Sequence, residues 1–210
     1  MKASDIARGA EMVRTPARYA NHVSGGRFLV PPHIAHIDQA IVDTIAGRSA
    51  PVLIVEAPPR HGKSEFISKY LPAWYLSIYP ENRVALCSYE HNFARSWGRK
   101  AKAVFADNSH LLGVSVSKEQ YATSDWETTH GGGMITAGVG GPLTGRGANL
   151  LIIDDYLKNS EQAFSEAIRE NQWDWWQSTA STRLEPDGIT IVIATRWHKA
   201  DLIGRLLDQA

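Results

Sequence analysis

The densest chemistry in the sequence lies in eight consecutive residues, Ala57-Pro58-Pro59-Arg60-His61-Gly62-Lys63-Ser64. They fit the phosphate-loop pattern GxxxxGK[ST], with Ala57 in the first glycine slot. The pattern has a physical basis. Backbone N–H groups of such a loop wrap phosphate oxygens, and the following helix adds its partial positive end. On this reading Pro59, Arg60, His61, Gly62, Lys63 and Ser64 form the nucleotide-binding loop. Lys63 reaches the β- and γ-phosphates, and the Ser64 hydroxyl is a Mg²⁺ ligand. Gly62 lets the backbone approach the phosphate closely. ATP and Mg²⁺ are the implied cofactors.

A second group completes the chemistry. The apolar run Leu150 to Ile153 ends in Asp154 and Asp155. An Asp at such a strand end orders Mg²⁺, and Asp154 takes that role. The next residue is the candidate base that polarises the attacking water. It is Asp155, one methylene shorter than Glu, so the base is either Asp155 or another group. A third apolar run, Ile189 to Ala194, leads into Thr195 and Arg196. Strand ends converge at the ligand crevice of an open α/β sheet. Thr195 is therefore a candidate sensor of the γ-phosphate, and Arg196 a candidate partner of phosphate or of Asp155. Two arginines compete to stabilise transition-state charge, a task suited to the guanidinium fork. Arg146, between Gly145 and Gly147, has the freedom to reach a neighbouring subunit. Arg60 would act within its own subunit.

These groups need elements to hold them. The runs at 52–55, 83–88, 150–153 and 189–194 are apolar without alternation, as expected of strands covered on both faces. Helical patterns separate them at 63–77, 91–105, 160–181 and 200–210. Strand and helix in alternation predict an α/β fold with a mostly parallel central sheet flanked by helices. Between Ser115 and Val139 the pattern alternates, which predicts an antiparallel hairpin addition. Residues 1–50 form a lead-in broken by Pro16, Pro31 and Pro32, with one helix over 33–46. Residues 51–210 form the core domain. Gln39, on the lead-in helix, is a candidate adenine reader.

Composition narrows the class. Hydrophobic residues at 43% and charged residues at 21% indicate a globular chain. No apolar run approaches the ~20 residues that span a bilayer. Cys87 is the single cysteine, so no internal disulfide forms. The net charge is zero, but its distribution is uneven. Residues 58–106 hold eight Lys and Arg against three Asp and Glu, and residues 107–210 eight against fourteen. Arg95, Arg99 and Lys102 recur at helical spacing, a candidate DNA-backbone contact set against the ordinary reading of a solvated face. Trp173, Trp175 and Trp176 cluster on one helix, where core packing is the default role.

The set of motifs resembles one family, the large terminases of tailed bacteriophages. The resemblance rests on five motifs in order, covering the chain from about Phe28 to the end. They are the arginine-bearing loop Ala57 to Ser64; Ser88-Tyr89; Gly145-Arg146-Gly147; Ile152-Ile153-Asp154-Asp155 with Lys158; and Thr195-Arg196-Trp197-His198 with Asp201-Leu202. It implies a P-loop ATPase of the ASCE, RecA-like type that hydrolyses ATP to drive double-stranded DNA into a capsid in the host cytoplasm. It also implies a ring, pentameric in the family, working with a portal protein and a small terminase subunit. The isolated domain is a possible monomer. Family members carry a C-terminal nuclease, for which the sequence leaves no room after the last helix, so no DNA-cleaving site is expected. The family's usual acid after the metal-binding Asp is Glu, and Asp155 departs from it. Two alternatives stay open: a helicase-like remodelling ATPase, and a nucleotide-binding assembly module with little turnover.

Overall fold

Strands apolar on both faces need cover on both sides. The computed structural model, which describes residues 13–122, 125–143 and 147–209, shows that arrangement. Seven strands form one sheet: β1 (Val52–Glu56), β2 (Arg83–Ser88), β3 (Val116–Tyr121), β4 (Asp125–Thr128), β5 (Gly133–Gly138), β6 (Ala148–Asp154) and β7 (Leu184–Ala194). Their spatial order is β1-β7-β6-β2-β5-β4-β3. The first five in that order pair in parallel, and β4 and β3 add antiparallel. One strand, β7, thus lies between the phosphate-loop strand β1 and the carboxylate strand β6.

Successive residues on each strand enter opposite cores. Leu150, Ile152, Ile191 and Ile193 face one core, while Leu151, Ile153, Val192 and Ala194 face the other. The first core is closed by α1 (Pro16–Val23), α2 (Pro32–Ile45), α3 (Leu71–Ile78) and α4 (His91–Asp107). The second is closed by α6 (Glu166–Trp175), which follows the short α5 (Ser160–Phe164), and by α7 (Leu202–Asp208). Proline at the first helical position opens both α1 and α2, where its missing N–H costs nothing. Trp175 and Trp176 are buried in the second core, the role expected of them. No helix among the described residues is long and apolar enough to cross a membrane.

Three expectations need correction. The segment 115–139 does hold the expected antiparallel hairpin, β3 with β4, but it adds a third strand, β5, antiparallel to β4 and parallel to β2. Alternation reports which face is buried but not which way a strand runs. The single helix expected over 160–181 breaks at Ser165, whose backbone is extended. The Arg169 side chain donates to the Ala163 carbonyl at 2.7 Å, satisfying an acceptor at the end of α5. The run then ends in a π-helical turn, Trp176–Ala180, and a 3₁₀ turn. Finally, the helix after the phosphate loop opens as a π-helical turn, Glu65–Tyr70, before α3 begins.

The junction of β4, β5 and the 80–82 turn is the tightest backbone approach in the sheet. A Cβ on Gly133 would overlap the Trp126 carbonyl. Gly133→Ala is expected to lower the unfolding free energy by roughly 2–3 kcal/mol, read by chemical denaturation, because the clash is with backbone that cannot swing away.

Candidate nucleotide and metal site

The site forms where β1, β6 and β7 end on the same side of the sheet. β1 stops at Glu56, and the chain curls through the phosphate loop. Arg60 sits at φ +64° and Gly62 at φ +78°. Glycine adopts that conformation freely, whereas Arg60 pays for it, as non-glycine residues at ligand sites often do. Lys63 is buried, and its Nζ donates to the Ala57 carbonyl at 3.0 Å and to Thr195 Oγ1 at 3.1 Å. The lysine therefore spans from the loop to the end of β7.

Asp154, at the end of β6, is fully buried. Ser64 Oγ donates to its Oδ1 at 3.0 Å, and Ser68 Oγ to its Oδ2 at 2.7 Å. Burial pushes its carboxyl up to about 7, and nearby Asp155 adds to the rise, against the lowering effect of the two serine hydroxyls and Lys63. Asp155 follows at φ +46°, the second non-glycine residue in the left-handed region. Its carboxyl is also raised by burial, opposed by Lys63 and by the Thr195 N–H that it accepts.

A cavity of about 390 Å³ gathers this chemistry, lined by Pro59, Arg60, Lys63, Ser64, Asp155 and Thr195 among others. The structure thus brings together residues as distant in sequence as Lys63 and Thr195, 132 positions apart and hydrogen-bonded. Hard oxygen donors from Ser64 and Asp154 suit Mg²⁺. The raised Asp154 carboxyl is what a buried acid lacking enough positive charge should show, and a bound cation would relieve it. A second cavity of about 710 Å³ shares Arg60, Gly62 and Glu65 with the first. Lead-in residues Arg27, Phe28 and His33 line it, with Tyr70 from the π-helical turn. His61 is among its lining residues; its carbonyl lies 3.1 Å from His33 Nε2.

Comparison with known proteins identifies the family and the fold. The family model for the terminase large subunit, T4likevirus-type, N-terminal, matches residues 54–206. The chain belongs to that family. The crystal structure of the HK97 bacteriophage large terminase shares the fold, with a TM-score of 0.57 at 18% identity. That match covers 87% of this chain and 36% of the other, so the chain spans about a third of that relative. No curated protein matches the chain by sequence.

Within this terminase domain, two site residues lie elsewhere than their sequence reading placed them. Gln39 does not line either cavity, and its amide donates to Asp43 on the same helix at 3.0 Å. Arg196 does not reach for Asp155. Its guanidinium bonds Glu56 Oε1 at 3.0 Å and Asp201 Oδ2 at 3.1 Å, with further bonds to the His198 and Lys199 carbonyls. Arg146 falls outside the described residues. Sequence reading missed Ser68 and Glu56. Ser68 had one signal, a hydroxyl four residues after Ser64 within an apolar stretch.

The Asp154 environment makes a pH prediction. Its folded carboxyl titrates near 7, above the ordinary value of 3.8. The folded state then binds the proton more tightly than the unfolded chain. Its contribution to stability is complete below about pH 4 and is lost as pH rises through 7. The metal-free domain is expected to melt at falling temperature from pH 5 to pH 8. Asp154→Asn, which removes the charge and leaves one acceptor oxygen for one serine and an N–H₂ group for the other hydroxyl to accept from, should flatten that decline in a calorimetric pH series.

Proposed function

We propose that this domain is an ATP-hydrolysing P-loop motor of the ASCE type that helps drive double-stranded DNA into a capsid. The observation that carries the reading is the convergence of Lys63, Ser64, Asp154, Asp155 and Thr195 at three strand ends, with one strand between β1 and β6. The triphosphate would occupy the smaller cavity, with Lys63 leaving the Ala57 carbonyl for phosphate oxygens. The larger cavity has the size and the aromatic wall to take the nucleoside. Lead-in residues Phe28 and His33, rather than Gln39, are placed to meet it.

Ser64 and Asp154 would hold Mg²⁺, which supplies charge neutralisation on the phosphate oxygens when bound. Asp155 would accept the proton of the attacking water. The Thr195 N–H fixes that carboxylate, and Lys63 opposes the rise that burial gives its carboxyl. Arg60 lines both cavities and is suited to offset developing charge from within the same subunit. A trans arginine, Arg146, remains the competing donor. Thr195 bonds both Lys63 and Asp155, so it registers phosphate occupancy at the end of β7. A ring assembly and the packaging partners of the whole terminase belong to the same proposal.

Steady-state ATPase turnover across protein concentration tests it. Turnover should depend on Mg²⁺ and fall at least ~10²-fold in Lys63→Ala. Turnover that climbs with concentration would place an arginine in trans, and turnover that stays flat would favour Arg60 in cis. Tight ATP binding with no turnover would refute hydrolysis by this domain and leave a nucleotide-gated assembly module.

A further inference from the structure

Several helix hydroxyls in this domain bond their own helix. Thr44 Oγ1 donates to the Ala40 carbonyl at 2.9 Å, Ser77 Oγ to that of Ala73 at 2.7 Å, and Ser178 Oγ to that of Asp174 at 2.6 Å. Such a bond is within reach of any serine or threonine inside a helix. Ser68 does otherwise. It has no exposure, and neither have Phe66, Ile67 and Leu71 beside it in sequence. Its Oγ reaches across to Asp154 Oδ2 at 2.7 Å, 86 positions away. A buried hydroxyl that spans to a carboxylate on another element fixes how that carboxylate is turned.

The orientation has a consequence for a cation. Ser64 lines the smaller cavity, and its Oγ bonds Asp154 Oδ1 at 3.0 Å. Neither Asp154 nor Ser68 is exposed, and neither lines that cavity. Oδ1 is therefore the oxygen nearest the cavity edge, while Oδ2 is held among buried residues. A cation seated beside Ser64 is offered one carboxylate oxygen. Hard cations differ in what they ask of a carboxylate. Mg²⁺ is small, keeps several of its waters and is satisfied by few protein oxygens. Ca²⁺ takes about six to eight oxygens and readily accepts both from one carboxylate. Without the Ser68 bond, the Asp154 carboxylate could turn and present both.

We infer that Ser68 is a positioning residue that makes the Ser64–Asp154 site select Mg²⁺ over Ca²⁺. The inference rests on the reading of that site, given above, as the cation site of a nucleotide-binding domain. Ser68 acts through Asp154 and touches neither the cation nor the phosphates.

The test is isothermal titration calorimetry of this chain with a non-hydrolysable ATP analogue in Mg²⁺, in Ca²⁺ and in EDTA. The wild type should bind more tightly with Mg²⁺ than with Ca²⁺. Ser68→Ala should shrink the ratio of the two Kd values ~10-fold, the scale for a residue that orients a metal ligand, and leave the EDTA value unchanged. Ser68→Thr, which keeps the hydroxyl, should restore the ratio. Ser77→Ala, which removes the Ala73-bonded hydroxyl of α3, should leave the ratio at wild type. Melting temperatures confirm that each variant is folded. A wild-type ratio in Ser68→Ala overturns the inference, and so does a wild type that does not distinguish the two cations. An equal loss in all three conditions also overturns it, because that is what mere support of the helix would give. A wild type that binds no analogue sinks the nucleotide reading and this inference with it. Mg²⁺-selective binding without any turnover of ATP sinks the motor reading alone and leaves the role of Ser68 standing.

Discussion

A buried carboxylate held by two serines is the constraint on which the site depends. Asp154 ends β6 with no exposure, and Ser64 and Ser68 each donate to one of its oxygens. Those serines stand one turn apart on the helix that follows the phosphate loop. The pair of bonds fixes how far that helix stands from the sheet and how it is rotated. A carboxylate of this kind is costly to bury and is retained where its charge has a use. The π-helical turn Glu65–Tyr70 belongs to the same constraint. It widens the helix at the level of Ser68, and such turns recur at functional sites.

The sheet order explains why one carboxylate can serve a loop that is 90 residues away in sequence. With β7 inserted between β1 and β6, the loop must arch over the end of β7 to meet Asp154. Thr195 then lies beneath the arch, within reach of the Lys63 ammonium and the Asp155 carboxylate together. Arg196, the next residue, is held by Glu56 at the end of β1 and by buried Asp201 at the start of α7. It works as a clamp that keeps the ends of β1 and β7 level. Asp201 also accepts the Gly204 N–H, so the clamp and the cap of α7 share one acid.

The parts of this site that could be read from the sequence are those whose chemistry is local. Gly62, Lys63 and Ser64 are consecutive, so spacing alone marks them as candidates. The double-sided strands were legible because unbroken apolar runs have few other uses. Ser68 was not, because its role appears only when the π-helical turn points it at a strand 86 positions away. The Arg196 clamp depends on Glu56, 140 positions distant, and no local pattern records such a pairing. The direction of β5 was hidden for a related reason: parallel and antiparallel strands share the same alternation, and only the neighbour decides. Ser165 carries no breaker signal, and the end of α5 is set by Arg169, one turn into the next helix.

Among the described residues, Arg60 and Asp155 hold left-handed backbone without being glycine. Each costs ~1 kcal/mol or more, and both lie at the same cavity. At Asp155 the strained turn reverses the chain, so the carboxylate faces Lys63 while the carbonyl faces β2 and accepts from Tyr89 and Ser88. A glycine would relax the turn but remove the acid. An extended residue would keep the acid but lose the bonds to the strand that feeds α4. The strain therefore secures two connections at one position, the cavity lined by Lys63 and Thr195 on one side and the foot of α4 on the other. Through the Tyr89 N–H and Ser88 Oγ bonds, the Asp155 turn is joined to the residues that lead into that helix.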